Sequence, residues 1–494
     1  MNTLYDALFA PHTGSKVPFL ETDDGTIMSY VAFLERAAQM AHVIADTGLR
    51  PGDRLLVQAP KTADTIALYA GAVQAGAVYL PLNTAYTASE VDYFVDDAEP
   101  ELIICEPKDA SRAARESGAN VMTLGDGGTL SRTADTKPKS FATVERSPDD
   151  LAALLYTSGT TGRSKGAMMS HRNLLSNALA LQELWQITAN DRLIHALPVF
   201  HTHGLFVALN TSLLAGAQVR FMAGFDLDSI LAELPSSTLL MGVPTFYTRL
   251  LADDRFGRKL TANMRLFISG SAPLLAETHT AFEERTGHRI LERYGMTETN
   301  MITSNPYKGD RTPGTVGHAL PDVEVRITNP ETGDVLQSGE IGMIEVRGAN
   351  VFQGYWNMPE KTAEELRPNG FFLTGDLATM DDEGRVTIVG RAKDLIISGG
   401  FNVYPKEVED VLNAQSGVLE SAVFGVPHAD FGEAVIAALV AEPGAKIDIE
   451  NLRASVKSLL ARFKHPQDYK VLEALPRNAM GKVQKNMLRA DHSC

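Results

Sequence analysis

Residues Tyr156 to Gly166 read YTSGTTGRSKG and follow directly on the apolar run Leu151 to Leu155. Small and hydroxylated residues at that density leave backbone N–H groups free and let them approach phosphate oxygens closely, while Arg163 and Lys165 add positive charge. Thr157, Ser158, Gly159, Thr160, Thr161, Gly162 and Lys165 therefore form a candidate anion cradle. This is not a Walker loop. That motif, GxxxxGK[ST], needs wider glycine spacing than Gly159 and Gly162 give, and Gly166 stands where its Mg²⁺-binding hydroxyl would be. A merely flexible polar loop is the rival reading, and it leaves the dense patterning unexplained.

Four more segments follow in order: RYGMTET (293–299), FLTGDL (372–377), GRAKDLI (390–396) and PRNAMGK (476–482). Any one is a weak signal, but all five in this order across most of the chain agree with one another. Together they resemble the adenylate-forming superfamily. The intervening text (YLPLNTAYT, ALPVFHTHGL, GVPTFYTRLL, ISGSAPL, GGFNVYPKEVE) is most similar, within that superfamily, to bacterial malonyl-CoA and methylmalonyl-CoA synthetases. The resemblance implies an ATP-dependent acyl-CoA synthetase. Such an enzyme converts a carboxylate to an acyl-adenylate with loss of pyrophosphate, then passes the acyl group to coenzyme A with loss of AMP.

Carried over position by position, the resemblance implies that Thr157 to Gly166 hold the β- and γ-phosphates. Thr297 bonds the α-phosphate, and Glu298 helps coordinate Mg²⁺, a hard cation suited to a carboxylate oxygen. Asp376 grips the ribose hydroxyls with its two acceptor oxygens, and Arg391 assists. Tyr294 either packs near adenine or is a core aromatic. Lys482 reaches both the attacking carboxylate and the α-phosphate, offsetting the repulsion between two anions. Lys393 is the hinge of a small carboxy-terminal domain that works in two orientations, and Ser398, Gly399 and Gly400 line the entry for pantetheine. PRNAMGK also resembles the site at which bacterial relatives are switched off by a lysine acetyltransferase, which would neutralise Lys482.

A dicarboxylic substrate such as malonate or methylmalonate carries a second charge, and an anion buried without a partner costs several kcal/mol. Arg249, in GVPTFYTRLL on a helix expected to begin near Thr245, offers a planar fork for it, or else pairs with Asp253 or Asp254. Ser271 adds a hydroxyl, with His201 and His203 nearby. HxH invites a zinc reading, but no third ligand at suitable spacing accompanies it. The alternatives are a synthetase for another short or medium acid, an aryl-CoA ligase or luciferase-like enzyme, and a non-catalytic module. The last would be expected to lack Lys482, Glu298 or the phosphate loop, and all are present.

These residues need a scaffold. Helical spacing over Tyr30 to Thr47 and Ala63 to Ala75 alternates with a strand pattern at Arg54 to Gln58, which argues for α/β layers. Strand patterns at Ala152 to Tyr156, Gln218 to Met222, Leu239 to Gly242 and Arg265 to Ser269 predict a second α/β stretch to about Asn300, several of its strands ending in small-residue loops where ligands collect. Residues 106–150 read as peripheral. Residues 313–390 read as a small β subdomain. The expectation is an α/β fold: an N-terminal adenylation domain, 1–391, of two α/β subdomains plus that β subdomain, then a small mobile α+β domain, 392–494.

Composition excludes several classes. A chain of 494 residues exceeds one ordinary core, and 44% apolar with 21% charged residues is globular. A net charge of −16 without a long basic run argues against nucleic acid and requires cationic residues to be gathered where anions bind. Cys105 and Cys494 cannot build a disulfide framework or thiolate site, and no sustained apolar stretch reaches membrane-spanning length, so a cytoplasmic enzyme is expected.

Overall fold

The computed structural model describes residues 1–116, 118–157, 164–398, 401–428, 431–478 and 481–492. By compactness the chain divides into a first unit, Met1–Glu324 with Val346–Phe372, and a second, Val325–Glu345 with Leu373–Cys494.

The first unit is layered α/β. Helix Tyr30–Asp46 is started by Ser29, whose side chain accepts from the Ala32 N–H, and it buries Tyr30, Phe33, Ala37, Met40, Ala41 and Ile44 at helical spacing. Helix Ala63–Ala75 is capped by Thr62 and stopped by Gly76 in the left-handed conformation. The two helices meet at Gly71, where an added Cβ would lie 2.7 Å from the Ala37 carbonyl oxygen, so only glycine permits this approach. They accompany a six-stranded sheet ordered Asn120–Thr123, Leu102–Cys105, Arg54–Gln58, Val78–Pro81, Leu151–Thr157, Lys165–Ser170, all parallel except the last pair. Leu102–Cys105 and Val78–Pro81 are buried at every position, as strands covered on both faces must be.

A second sheet of nine strands has a parallel centre: Leu291–Met296, Leu266–Ser269, Leu239–Gly242, Arg192–His195, Gln218–Phe221 and Pro18–Glu21. Because these run the same way, His195, Gly242, Ser269 and Met296 lie at one sheet edge, the carboxyl end where open α/β sheets gather ligands. For the three of these strands predicted from patterning, Gln218–Phe221, Leu239–Gly242 and Leu266–Ser269, sequence and structure agree to within a residue, and the helix expected near Thr245 is Pro244–Leu251.

A four-stranded β layer ordered Val323–Thr328, Gly342–Gly348, Phe372–Met380 and Val386–Arg391, the last two antiparallel, carries the buried Glu345, paired with Arg326 at 2.6 Å. Compactness groups 325–345 and 373–391 with the C-terminal residues. There a further sheet is ordered Phe401–Val403, Ile396–Ser398, Gly432–Ala441, Val418–His428, with Asp468–Leu472 parallel to Gly432–Ala441. Its alternation sorts side chains by face: Val423, Val435, Ala437 and Leu439 join helices Pro405–Asn413 and Ile449–Leu459 through Val408, Leu412, Leu452 and Val456. Phe424, Ile436 and Ala438 join Leu488 of helix Lys485–His492 in a second cluster. Among the described residues no helix is long and apolar enough to cross a membrane.

Candidate active site

Thr157 ends one strand and Lys165 begins the next, paired antiparallel in register, so the loop between them is a connection of two strands. Ser158, Gly159, Thr160, Thr161 and Gly162 of that loop, with Arg163, lie outside the described residues. Its far end is held from the helix Ala88–Ala98: the Tyr93 hydroxyl donates to the Ser164 carbonyl at 2.7 Å.

Glu298 sits in the short turn Thr297–Thr299 and is 4% exposed. Its Oε1 accepts from the Tyr355 hydroxyl at 3.1 Å and from Thr157 Oγ1 at 3.4 Å. The Tyr355 hydroxyl also lies 2.6 Å from Glu365, and Glu365 holds the Lys165 ammonium at 3.2 and 3.3 Å, with that ammonium 4.0 Å from the centre of the Tyr355 ring. The backbone explains the convergence. Residues 353–356 add themselves to the strand Lys165–Ser170 through Gln353 N–H to Met168 O, Met168 N–H to Gly354 O and Trp356 N–H to Gly166 O, while Phe352 N–H bonds the Glu298 carbonyl. One network therefore joins the two loop-end residues to the acid of the RYGMTET segment. Burial, before any other cause, raises the Glu298 carboxyl above the usual carboxylate range.

One buried carboxylate with a neighbouring hydroxyl would suit Mg²⁺, which keeps water and phosphate oxygens in its shell and needs only one or two protein carboxylates. Tyr355 and Glu365 were missed by sequence reasoning, because neither stands in a segment recognisable by itself. Thr297 is half-buried beside Glu298. Tyr294 is half-buried too, its backbone paired with Thr303.

We expect Tyr355→Phe, which keeps the ring under Lys165 and removes the hydroxyl shared by two carboxylates, to lower kcat/KM for ATP by roughly tenfold. The thioester half-reaction from a supplied acyl-adenylate should keep its rate, and an unchanged kcat/KM for ATP contradicts the network's importance.

At the carboxyl edge of the nine-stranded sheet a second polar cluster forms around a residue not singled out from sequence. Arg293, within strand Leu291–Met296, is 3% exposed, and its Nε and Nη2 have no hydrogen-bond partner. Gly270 makes room for it: an added Cβ there would lie 2.4 Å from the guanidinium carbon. Burial pushes the Arg293 pKa down to about 9, so it remains charged at neutral pH. Ser271, in the left-handed conformation at φ 70°, places its Oγ 3.3 Å from His203 Nδ1. His203 is buried, its Nε2 unpartnered, and burial together with the charge of Arg293 keeps its ring neutral. Ser269 Oγ and Thr202 Oγ1 are buried and unpartnered beside them. Unsatisfied donors this dense around a fixed cation are costly unless an anionic or polar group meets them.

The sequence-predicted Arg249 is elsewhere in character. It is exposed on helix Pro244–Leu251, its guanidinium 5.3 Å from the centre of the Phe225 ring, and Asp253, one of its two alternative partners, pairs with Arg255 at 2.7 Å. His201 is half-buried next to Phe200. The signal for Arg293 was present in the sequence: a cation inside the strand pattern LERYGM, where a buried position demands a reason.

In the second unit, Asp376 and Arg391 face each other across adjacent strands, joined at 2.7 Å with the Asp376 side chain 5% exposed. Lys393 is exposed in the turn Ala392–Asp394, and Asp394 is held by Arg489 at 2.9 Å. Ser398 is buried at the end of its strand, while Gly399 and Gly400 lie outside the described residues. Lys482 is exposed, but its backbone is not loose. Asn478 Oδ1 accepts from its N–H at 3.0 Å, its carbonyl accepts from the Asn478 N–H at 3.0 Å, and Gly481 supplies the left-handed turn before it at φ 74°.

The chain belongs to the AMP-binding enzyme family, which it matches over residues 10–356, and it matches the AMP-binding enzyme C-terminal domain over residues 407–482. A malonate–CoA ligase of Arabidopsis thaliana is 35% identical to it over 483 residues, 90% of this chain and 78% of that one. A feruloyl-CoA synthase of Amycolatopsis sp is 34% identical over 94% of each chain. Among solved structures, ATP-bound MatB from Rhodopseudomonas palustris is 54% identical with a TM-score of 0.97, covering 100% of this chain and 99% of that one. A benzoate CoA ligase from Burkholderia xenovorans LB400 is 26% identical with a TM-score of 0.90, covering 99% and 100%.

Proposed function

We propose that the protein is an AMP-forming acyl-CoA synthetase that ligates a short dicarboxylic acid, malonate or methylmalonate, to coenzyme A. Its substrates are the acid, ATP and CoA, with Mg²⁺ as the metal. In the first half-reaction a carboxylate oxygen attacks the α-phosphorus of ATP, the bond to the β-phosphate oxygen breaks, and pyrophosphate leaves. In the second the CoA thiol attacks the acyl carbon and AMP leaves.

The family membership and the malonate–CoA ligase and MatB likenesses support the reaction class. The observation that carries the dicarboxylate is the buried guanidinium of Arg293, two of whose nitrogens have no hydrogen-bond partner, with His203 and its neighbour Ser271 close by. We assign the second carboxylate to these residues, with Arg249 contributing only a screened charge from an exposed position. The same donors oppose a flat apolar aryl pocket, despite the feruloyl-CoA synthase likeness.

For the nucleotide, Thr157 to Gly166 with Lys165 take the β- and γ-phosphates, Thr297 the α-phosphate, Tyr294 the adenine, and Asp376 the ribose. Asp376 is held meanwhile by Arg391. Glu298 holds Mg²⁺, which when bound neutralises charge on the phosphate oxygens. Lys482 serves adenylation, the chain turns at Lys393 so that 392–494 take a second orientation, and Ser398, Gly399 and Gly400 then line the pantetheine path. An acetyltransferase acting on Lys482 would reproduce the loss predicted below for Lys482→Ala. A cytoplasmic location belongs to the proposal and accords with a chain holding only 2 cysteines.

Pyrophosphate release measured across malonate, methylmalonate, propionate, acetate and benzoate tests this reading. Malonate or methylmalonate should give the highest kcat/KM, and a preference for benzoate or propionate rejects the dicarboxylate.

A further inference from the structure

Lys61 belongs to none of the segments that carry the chemistry, yet it is half-buried in the first unit, against the sheet that carries the acid cluster. It follows the strand Arg54–Gln58 and precedes the helix Ala63–Ala75, whose cap is Thr62. Its ammonium lies 4.6 Å from the centre of the Phe221 ring, 3.0 Å from His195 Nδ1 and 2.9 Å from the His195 carbonyl oxygen. His195 ends a strand of the other sheet, so this one side chain ties the edges of two sheets together.

The tautomer of His195 follows from its partners. Its Nε2 is 2.8 Å from the Gly204 carbonyl oxygen, which can only accept, so Nε2 carries the proton. Burial, before any other cause, keeps the His195 ring neutral, its pKa pushed down to about 3, and burial also lowers the neighbouring Lys61 amine, which donates in either protonation state. Nδ1 is then the acceptor, and Lys61 donates to it. The line of bonds runs Lys61 to His195 to the Gly204 carbonyl.

Gly204 is the second residue of a π-helical turn, His203–Leu209, whose start has no side-chain cap of its own. The backbone there has no slack: an added Cβ at Gly204 would lie 2.0 Å from the Pro198 carbonyl oxygen. Whatever fixes the Gly204 carbonyl therefore fixes the residue before it, His203, whose Nδ1 meets Ser271.

We propose that Lys61 is a positioning residue for acid selection: through His195 and the Gly204 carbonyl it sets where His203 and Ser271 meet the end of the acid remote from the reacting carboxylate. This rests on assigning that end to Arg293, His203 and Ser271. Lys61 does not touch the acid in this account. It defines the wall that does, and a displacement on the order of 1 Å at such a wall is enough to misplace a bound substrate.

The test uses the full-length enzyme with Lys61→Met, His195→Leu and His195→Gln, measuring KM for malonate, KM for ATP, kcat and the thermal midpoint. Glutamine offers an acceptor and a donor at nearly the separation of the two ring nitrogens, so it can keep both bonds. Lys61→Met and His195→Leu should raise the malonate KM on the order of tenfold while ATP KM stays within about twofold. His195→Gln should recover most of the malonate KM.

Malonate and ATP KM rising together would mean a merely structural lysine and overturns the proposal, as does an unchanged malonate KM. Loss in Lys61→Met with none in His195→Leu would mean that Lys61 acts on the acid directly, which also overturns it. If Lys61→Met does not fold, the two His195 variants decide, and a glutamine variant as damaged as the leucine one counts against the relay. Arg293→Ala, assayed alongside, separates the two levels of the argument: unchanged selectivity there removes the assignment beneath, whereas lost selectivity there with unaffected Lys61 and His195 variants removes only this proposal.

Discussion

Lys482→Ala is expected to reduce adenylation on the order of a thousandfold while thioester formation from a supplied acyl-adenylate keeps its rate within about twofold. The first half-reaction brings a carboxylate against a phosphate, two anions whose approach is opposed until a cation stands between them. The protein as a whole makes this harder, with a net charge of −16, so the cation must be local and well aimed. In the role proposed for Lys482 its backbone is already fixed: Asn478 bonds both its N–H and its carbonyl, and Gly481 takes the left-handed turn that precedes it. In the second half-reaction the leaving group is AMP and no triphosphate must be approached, so the same charge is dispensable. Assays of the two half-reactions on one purified variant check this, and equal loss in both contradicts the assigned role.

Arg293→Ala carries the second largest expected effect. Malonate should lose kcat/KM by about 2 to 4 kcal/mol, some thirtyfold to nearly a thousandfold, whereas propionate, which has no second charge, should lose little or gain. The reason is the state of the guanidinium without substrate: two of its nitrogens have no partner, and Gly270 places no side chain against its carbon. An anion placed there gains a charge-assisted bond in a setting with little water to compete. Arg249→Ala, the change that sequence patterning favours, should cost malonate less than about 1 kcal/mol, because an exposed charge is screened. Competition kinetics with malonate and propionate for both variants decide between the two arginines, and a larger selectivity loss for Arg249→Ala than for Arg293→Ala reverses the assignment.

Why one arginine was legible and the other was not is a matter of what periodicity reports. Patterning located the strands Leu239–Gly242 and Leu266–Ser269 and the helix Pro244–Leu251 because burial imposes a period on apolar residues. It set Arg249 on that helix but not on its exposed side, since a helix of eight residues carries too few apolar positions to fix a face. The Lys165–Glu365–Tyr355–Glu298 network depends on residues 353–356 joining a strand from almost 200 positions earlier, a pairing with no local signature. His195, His203 and Lys61 share that obstacle. What the sequence offered directly were the glycine-rich and charged segments to which the proposal assigns the nucleotide chemistry: the Thr157 to Gly166 loop, Glu298, Asp376 and Lys482.

Exchange of labelled pyrophosphate into ATP, measured with and without malonate in the absence of CoA, tests the central claim most directly. A carboxylate activated as its adenylate predicts exchange that appears only when the acid and Mg²⁺ are both supplied and that vanishes in Lys482→Ala. Exchange that is independent of added carboxylate, or none at all from folded enzyme, contradicts it.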